Sequence, residues 1–367
     1  MNVVTLFLCG DVMTGRGIDQ ILAEPSDPAI HEPYLQSAIE YVELAEAAHG
    51  KLPRRVAPEY VWGDALAELE RVRPDVRVVN LETAVTTSGD WVEKGINYRM
   101  HPANVACLRA ARIDCCTLAN NHVLDWGPAG LLETLDTLAR AGIRTAGAGR
   151  VLAEARAPAV FPLAGERRVL VFACGMETSG VPPEWAATAT APGVNFLADL
   201  SAAAVDRIAR DVAAVKRPGD LAVLSIHWGG NWGYGVAGAD TRFARALIDR
   251  AGVDVVAGHS SHHPKAIEVY RRRLILYGCG DLVNDYEGIR GHESFRPELA
   301  AMYFPAFRDG ALERLEAVAF RMRRFRLELA APADSRWLAG TLARESHRFD
   351  TTVRLTPEHR LEVAAAG

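Results

Sequence analysis

The stretch VVTLFLCGD, residues 3–11, decides the reading of the fold: seven strand-forming residues run straight into Gly10 and Asp11. A short apolar run closed by glycine reads as a buried strand. In open α/β sheets, ligands bind just past the carboxyl ends of strands, which is where Asp11 falls. The same punctuation recurs four times. Val76–Val79 leads into Asn80-Leu81-Glu82-Thr83, and Asp114–Leu118 leads into Asn120-Asn121-His122. Ala222–Ile226 is followed by His227-Trp228-Gly229-Gly230, and Val253–Ala257 by Gly258-His259-Ser260-Ser261-His262-His263-Pro264. Five arrivals at one sheet edge imply one site.

Outward from these runs, apolar segments alternate with segments of helical period, which predicts an α/β fold. Further strands are expected at Val169–Cys174, Ile267–Tyr270 and Leu274–Tyr277. Helices are expected over Pro33–Ala48, Gly63–Arg73, Pro102–Arg112, Gly130–Ala141, Ser201–Lys216, Asp240–Ala251 and Asp334–Ser346. In the first helix Leu35, Ala38, Ile39, Val42 and Ala45 form the expected buried stripe. Residues 24–60 and 175–196 read as insertions. A main unit over residues 1–330 is expected to be followed by an extension, 331–367, packed on it. Leu315–Leu329 reads as one strand, with the Arg321–Arg326 run on one of its faces.

Composition narrows the function. The 367 residues are 49% hydrophobic and 24% charged, with a formal net charge of -5. Only four lysines occur, at 51, 94, 216 and 265, so no basic stripe suited to nucleic-acid phosphates is present. The apolar opening lacks a basic leader and is far short of a span of about 20 residues, so neither a signal peptide nor a membrane segment is expected. The six cysteines show no C-x-x-C pair and read as reduced core thiols, consistent with a cytoplasmic setting. The expected partner is a peptide or small carboxylate, with no nucleic acid and no membrane; the sequence leaves the oligomeric state open.

Carboxylate, Asn and His side chains at the five strand ends suit a divalent cation, one or two per chain, among Mn, Zn, Fe and Ca. Each motif has a plainer use. Asp11 before Thr14 and Gly15 is placed as a helix cap would be, Asn120-Asn121 suits a tight turn, and Trp most often packs. Five coincident placements are not explained by turn chemistry.

The motifs Gly-Asp-Val-Met (10–13), Asn-Leu-Glu-Thr (80–83), Leu-Ala-Asn-Asn-His-Val-Leu-Asp (118–125), His-Trp-Gly (227–229), Gly-His-Ser-Ser-His (258–262) and Tyr-Gly-Cys-Gly-Asp (277–281) occur in this order. The set resembles the CapA-type proteins of poly-γ-glutamate capsule synthesis, relatives of the calcineurin-like metallophosphoesterases, from residue 3 to about 330. The resemblance implies a four-layer α/β/β/α sandwich around two central mixed sheets. It implies metal ligation by Asp11, Glu82, Asn121, His227, His259 and His262, with His122 as a proton donor. Two departures stand out: Asp-Val-Met replaces the phosphoesterase Asp-x-His, and Asn-Leu-Glu replaces Gly-Asp-x-x-Asp. A site short of ligands frees Asp11 as a base, and the family includes a lasso-peptide epimerase that inverts a C-terminal tryptophan. Metal-assisted Cα proton transfer, a peptide epimerisation, is therefore the leading expectation. Asp11, His122 and His292 are its catalytic candidates, and Asn80, Asn120, Trp228, Trp232 and His263 its substrate-binding ones. Phosphoester hydrolysis and a part in poly-γ-glutamate or capsule assembly are the alternatives.

Overall fold

A computed structural model describes residues 3–365. Residues 1–2 and 366–367, which end the two units expected from sequence, lie outside the described residues. Two sheets dominate, one of ten strands and one of six. The larger runs in the order Thr351–Leu355, Arg360–Ala365, Ala311–Arg323, Leu299–Arg308, Val4–Val12, Val76–Leu81, Cys115–Thr117, Arg144–Ala146. Its last four strands are parallel, and Asp281–Val283 also pairs in parallel with Val4–Val12. The smaller sheet runs Ile267–Tyr270, Arg273–Leu276, Val255–His259, Leu221–His227, Arg168–Gly175, Ala159–Pro162, with antiparallel edges and a parallel centre.

Strand parity shows how the sheets stack. Val169, Val171, Ala173, Val223, Val255 and Ala257 share a core with the large sheet. Their neighbours Leu170, Phe172, Leu224 and Val256 face the other way, against Val205 and Ile208 of helix Ala202–Ala213 and Phe243 and Leu247 of helix Gly238–Ala251. Successive strand residues point to opposite faces, so each strand serves two apolar layers at once. The result is the mixed α/β sandwich expected, with helices outside two packed sheets. Ser225 Oγ donates to Thr117 Oγ1 across the interface at 3.1 Å, close to where both strands end.

Several boundaries differ from the sequence reading for identifiable reasons. The first long helix begins at Ala38, not Pro33, because Ser37 and Glu40 form a reciprocal cap there: Ser37 Oγ accepts from the Ile39 N–H and Glu40 from that of Ser37. Its buried face is Ala38, Tyr41, Val42 and Ala45, whereas Ile39 is exposed. The single strand expected over 315–329 is a hairpin. Arg324 and Phe325 both take positive φ, 56° and 55°, and their N–H groups donate to the buried Glu287 carboxylate. That anchor fixes a turn which the alternating arginines concealed. The segment after 330 contributes helix Pro332–Ser346 and then two strands that extend the large sheet beyond Ala311–Arg323.

All six cysteines are buried free thiols. No helix among the described residues is long and apolar enough to cross a membrane.

Candidate metal centre

The parallel pairing that brings Asp11 beside Asp281 depends on glycine. A Cβ on Gly10 would lie 1.5 Å from the Gly280 carbonyl oxygen, the atom that accepts from Asp11 N–H at 2.9 Å. Gly280 itself has φ +80°, a conformation that side chains disfavour. Gly10→Ala is expected to destabilise by about 3 kcal/mol, at the upper end of overpacking costs. Gly340→Ala is the control: nothing lies within 4 Å of its would-be Cβ, and a helical alanine should stabilise by up to about 1 kcal/mol. Urea midpoints that moved alike for both would contradict this account.

At the strand ends Asp11, Glu82 and His227, all buried, bring one ligand atom each within 4.8 Å of the others. Asn121 Oδ1 lies 3.0 Å from His227 Nε2. Glu82 Oε1 is 3.8 Å from both His227 Nε2 and His122 Nε2. Asp11 is not a helix cap. Its Oδ1 accepts from Asn80 Nδ2 at 2.8 Å and faces His259 Nδ1 at 3.1 Å, while Oδ2 accepts from the Ser260 N–H at 3.2 Å. The next helix starts at Arg16 with no side-chain cap.

Electrostatics favour a cation here. Burial opposes charge on Asp11, but the hydrogen bond and charge of His259 hold its carboxyl well below the usual range. Burial, then the Asp11 charge, raises Glu82 well above its usual range. Burial pushes His227 down to about 3, leaving the neutral imidazole that metals require, and its Nδ1 is buried with no hydrogen-bond partner. Two mutually repelling buried carboxylates beside a neutral histidine and an amide oxygen form an N/O donor set suited to a divalent ion. Asp11, Glu82 and His227 can therefore hold a metal.

The remaining expected residues take different places around this set. His122 belongs to the rim: its Nδ1 sits 2.6 Å from Asp125 Oδ2, and burial takes it down to about 4. His262 pairs with Asp281, Nδ1 to Oδ1 at 3.0 Å, and the Asp281 charge raises it against the effect of burial. Asn80 and Asn120 are buried braces rather than free substrate contacts. Asn120 Nδ2 donates to Asn80 Oδ1 at 3.1 Å and to the Leu81 carbonyl at 2.9 Å, and its Oδ1 accepts the His122 N–H at 3.1 Å. Both nitrogens of His263 are engaged, Nε2 by the Gly233 N–H at 3.1 Å and Nδ1 at the Pro264 carbonyl at 3.2 Å.

Two residues stand away from the metal ligands. Trp228 packs in the outer core, its N–H on the Tyr277 carbonyl at 3.1 Å, because it occupies the strand parity opposite to His227. His292 stacks on Trp232 with ring centroids 3.8 Å apart, and Trp232 in turn lies 5.3 Å from His262. His292 is thus one ring outside the histidine cluster.

The site also contains residues that the sequence reading did not select. Asp281 was quoted only as the end of a motif, yet it stands beside Asp11 and holds His262. Lys94 places its ammonium 2.7 Å from Asp125 Oδ1 and 3.3 Å from His122 Nδ1, and donates to the Asn121 carbonyl. No spacing rule marks a lone loop lysine. Met13, where the phosphoesterases carry histidine, is buried with its sulfur 3.5 Å from the Tyr286 hydroxyl.

Fold and site together define a two-sheet α/β protein with a buried carboxylate–histidine cluster that can hold a metal ion. The chain belongs to the bacterial capsule synthesis protein family PGA_cap, whose model matches residues 5–286. It is 49% identical over 371 residues to the probable polyglutamine synthesis accessory proteins of two Mycobacterium tuberculosis strains, covering 100% of this chain and 97% of theirs. It is 26% identical over 296 residues to the PGA biosynthesis protein CapA of Bacillus subtilis, covering 80% of this chain and 66% of that protein.

Proposed function

We propose that this protein is a metal-dependent accessory component in the synthesis of a glutamate- or glutamine-based polymer, acting on a carbonyl or carboxylate group of that chain. The observation that carries the proposal is the 49% identity, along its whole length, to the polyglutamine synthesis accessory proteins. The buried Asp11, Glu82 and His227 donor set supports it by supplying a place for the ion. A divalent ion held there would polarise an oxygen and acidify a bound water. Asn80 and Ser260 hold the Asp11 carboxylate in one orientation. Asp125 and Lys94 fix the His122 ring so that Nε2 faces Glu82, where it is placed to exchange a proton with a group bound at the centre.

Peptide epimerisation finds less support than the sequence alone suggested. None of the relatives compared is named for it, and its proposed base, Asp11, has both oxygens engaged and a depressed pKa, which makes it a weak base. Its proposed second proton carrier, His292, stacks outside the cluster. Phosphoester hydrolysis is weakened by Met13 in the place of a histidine ligand.

The test is complementation of a strain lacking the protein, with cell-envelope glutamate and glutamine polymer measured after hydrolysis. Wild type should restore the polymer, and Asp11→Asn or His227→Ala should not. Restoration by both variants would sink the proposal. Deuterium uptake at a Cα of a bound peptide in heavy water would return epimerisation to the lead.

A further inference from the structure

Behind the His262–Asp281 pair lies a cavity of about 250 Å³. Asn284 and Tyr286 line it and also form the wall it shares with the metal centre. Asn284 Nδ2 donates to Asp281 Oδ2 at 3.0 Å, and the Tyr286 ring lies edge-on to His262 at 5.3 Å.

The far wall is charged in an ordered way. Glu298 accepts from Arg296 Nη2 at 2.8 Å, the same nitrogen lies 2.8 Å from Asp334, and Asp334 lies 3.6 Å from Arg321 Nη1. The four charges alternate along a chain whose two ends, the Glu298 carboxylate and the Arg321 guanidinium, both line the cavity. Neither end is saturated. Glu298 receives Arg296 Nε and Nη2 on one oxygen only, and among the described residues the Arg321 side chain is held only by its ion pair to Asp334 at 3.6 Å, beyond hydrogen-bond reach. Glu293 and Glu287 bring the carboxylates to three, Glu287 being already engaged by the Arg324 and Phe325 N–H groups, and Pro297 and Ile289 supply apolar wall. A planar guanidinium is shaped for a carboxylate.

We propose that this cavity is a binding site for a zwitterionic, amino-acid-sized ligand. Its carboxylate meets Arg321, its ammonium meets Glu298 and Glu293, and its methylene stem lies along Pro297 and Ile289. The choice of glutamate or glutamine as the side chain rests on the polymer reading above; the two-charge recognition rests on the cavity alone.

The experiment is isothermal titration of the full chain with L-glutamine, L-glutamate, and the single-charge fragments acetate and ethylamine. At least one amino acid should bind, and more tightly than either fragment. Arg321→Met should weaken it by tenfold or more, Glu298→Gln should weaken it as well, and Asp11→Asn should leave it unchanged. Glu298→Gln keeps the test decisive should Arg321→Met fail to fold. Absence of binding by both amino acids, binding unaffected in Arg321→Met and Glu298→Gln, or binding lost in Asp11→Asn alone would each overturn the proposal. Polymer restoration by both Asp11→Asn and His227→Ala would strike the functional reading instead and leave this site standing.

Discussion

Asp11→Asn is expected to lower divalent-metal affinity on the order of a hundredfold or more, beyond the ten- to hundredfold typical of losing a group that only orients a ligand. The variant keeps the shape of the side chain but removes the negative charge. It also turns an NH₂ group toward either the Ser260 N–H or the donors Asn80 and His259, all of which need an acceptor. The effect on stability should grow with metal. Without an ion, wild type keeps two buried carboxyl groups side by side, and burial first, then the Asp11 charge, raises Glu82. The depressed Asp11, by contrast, stabilises the fold in its ionised form, so metal-free Asp11→Asn should melt below metal-free wild type. With Mn²⁺ or Zn²⁺ at 100 times its dissociation constant, wild type alone should gain about 2.7 kcal/mol by mass action. Metal analysis after dialysis and melting curves with and without chelator measure both effects. Equal metal content in the two proteins, or an equal gain in melting temperature from added metal, would remove Asp11 from the ligand set.

The parts of this centre that were legible in sequence are those governed by strand-end chemistry. Gly10-Asp11, Glu82, Asn121, His227 and His259 each follow an apolar run, and a run long enough to be a strand delivers its last residue to the sheet edge wherever the strand lies. Parity was available but is easily passed over. Val223, Ser225 and His227 alternate with Leu224, Ile226 and Trp228, so a strand that turns His227 inward must turn Trp228 outward. The structure places them so. Asp281 was hard to see because its strand is three residues long, too short to show a period. Lys94 lies on a loop, and its importance comes from three partners more than 25 residues away, Asn121, His122 and Asp125. Single charged residues that meet only in three dimensions leave no periodic trace.

Arg16 is the extreme case, and its replacement carries the largest expected cost in stability. It follows the first strand at φ 47°, and its side chain is 2% exposed. Nε and Nη2 bind Asp285 at 3.2 and 2.5 Å, and Nη1 binds Glu32 at 3.0 Å and the Tyr41 hydroxyl at 2.8 Å. The guanidinium also lies over the Tyr41 and Tyr98 rings at 3.8 and 4.4 Å. Arg16→Met preserves most of the packing volume but leaves the Asp285 and Glu32 carboxylates, both fully buried, without their cation. Removing one partner of a buried ion pair costs about 3–5 kcal/mol, and two orphaned carboxylates place this variant at the top of that range, to be read from urea denaturation. Lysine should restore little, because one ammonium cannot make the paired contact to Asp285 while reaching Glu32 and Tyr41. The triple variant Arg16→Met, Glu32→Gln, Asp285→Asn should recover part of the loss by removing the unpaired charges. Glu32 belongs to the 24–60 segment, so limited proteolysis of Arg16→Met should cut first within that segment. A cost below about 1 kcal/mol, as for a surface pair, would mean that Arg16 holds neither the segment nor the loop carrying Asp285.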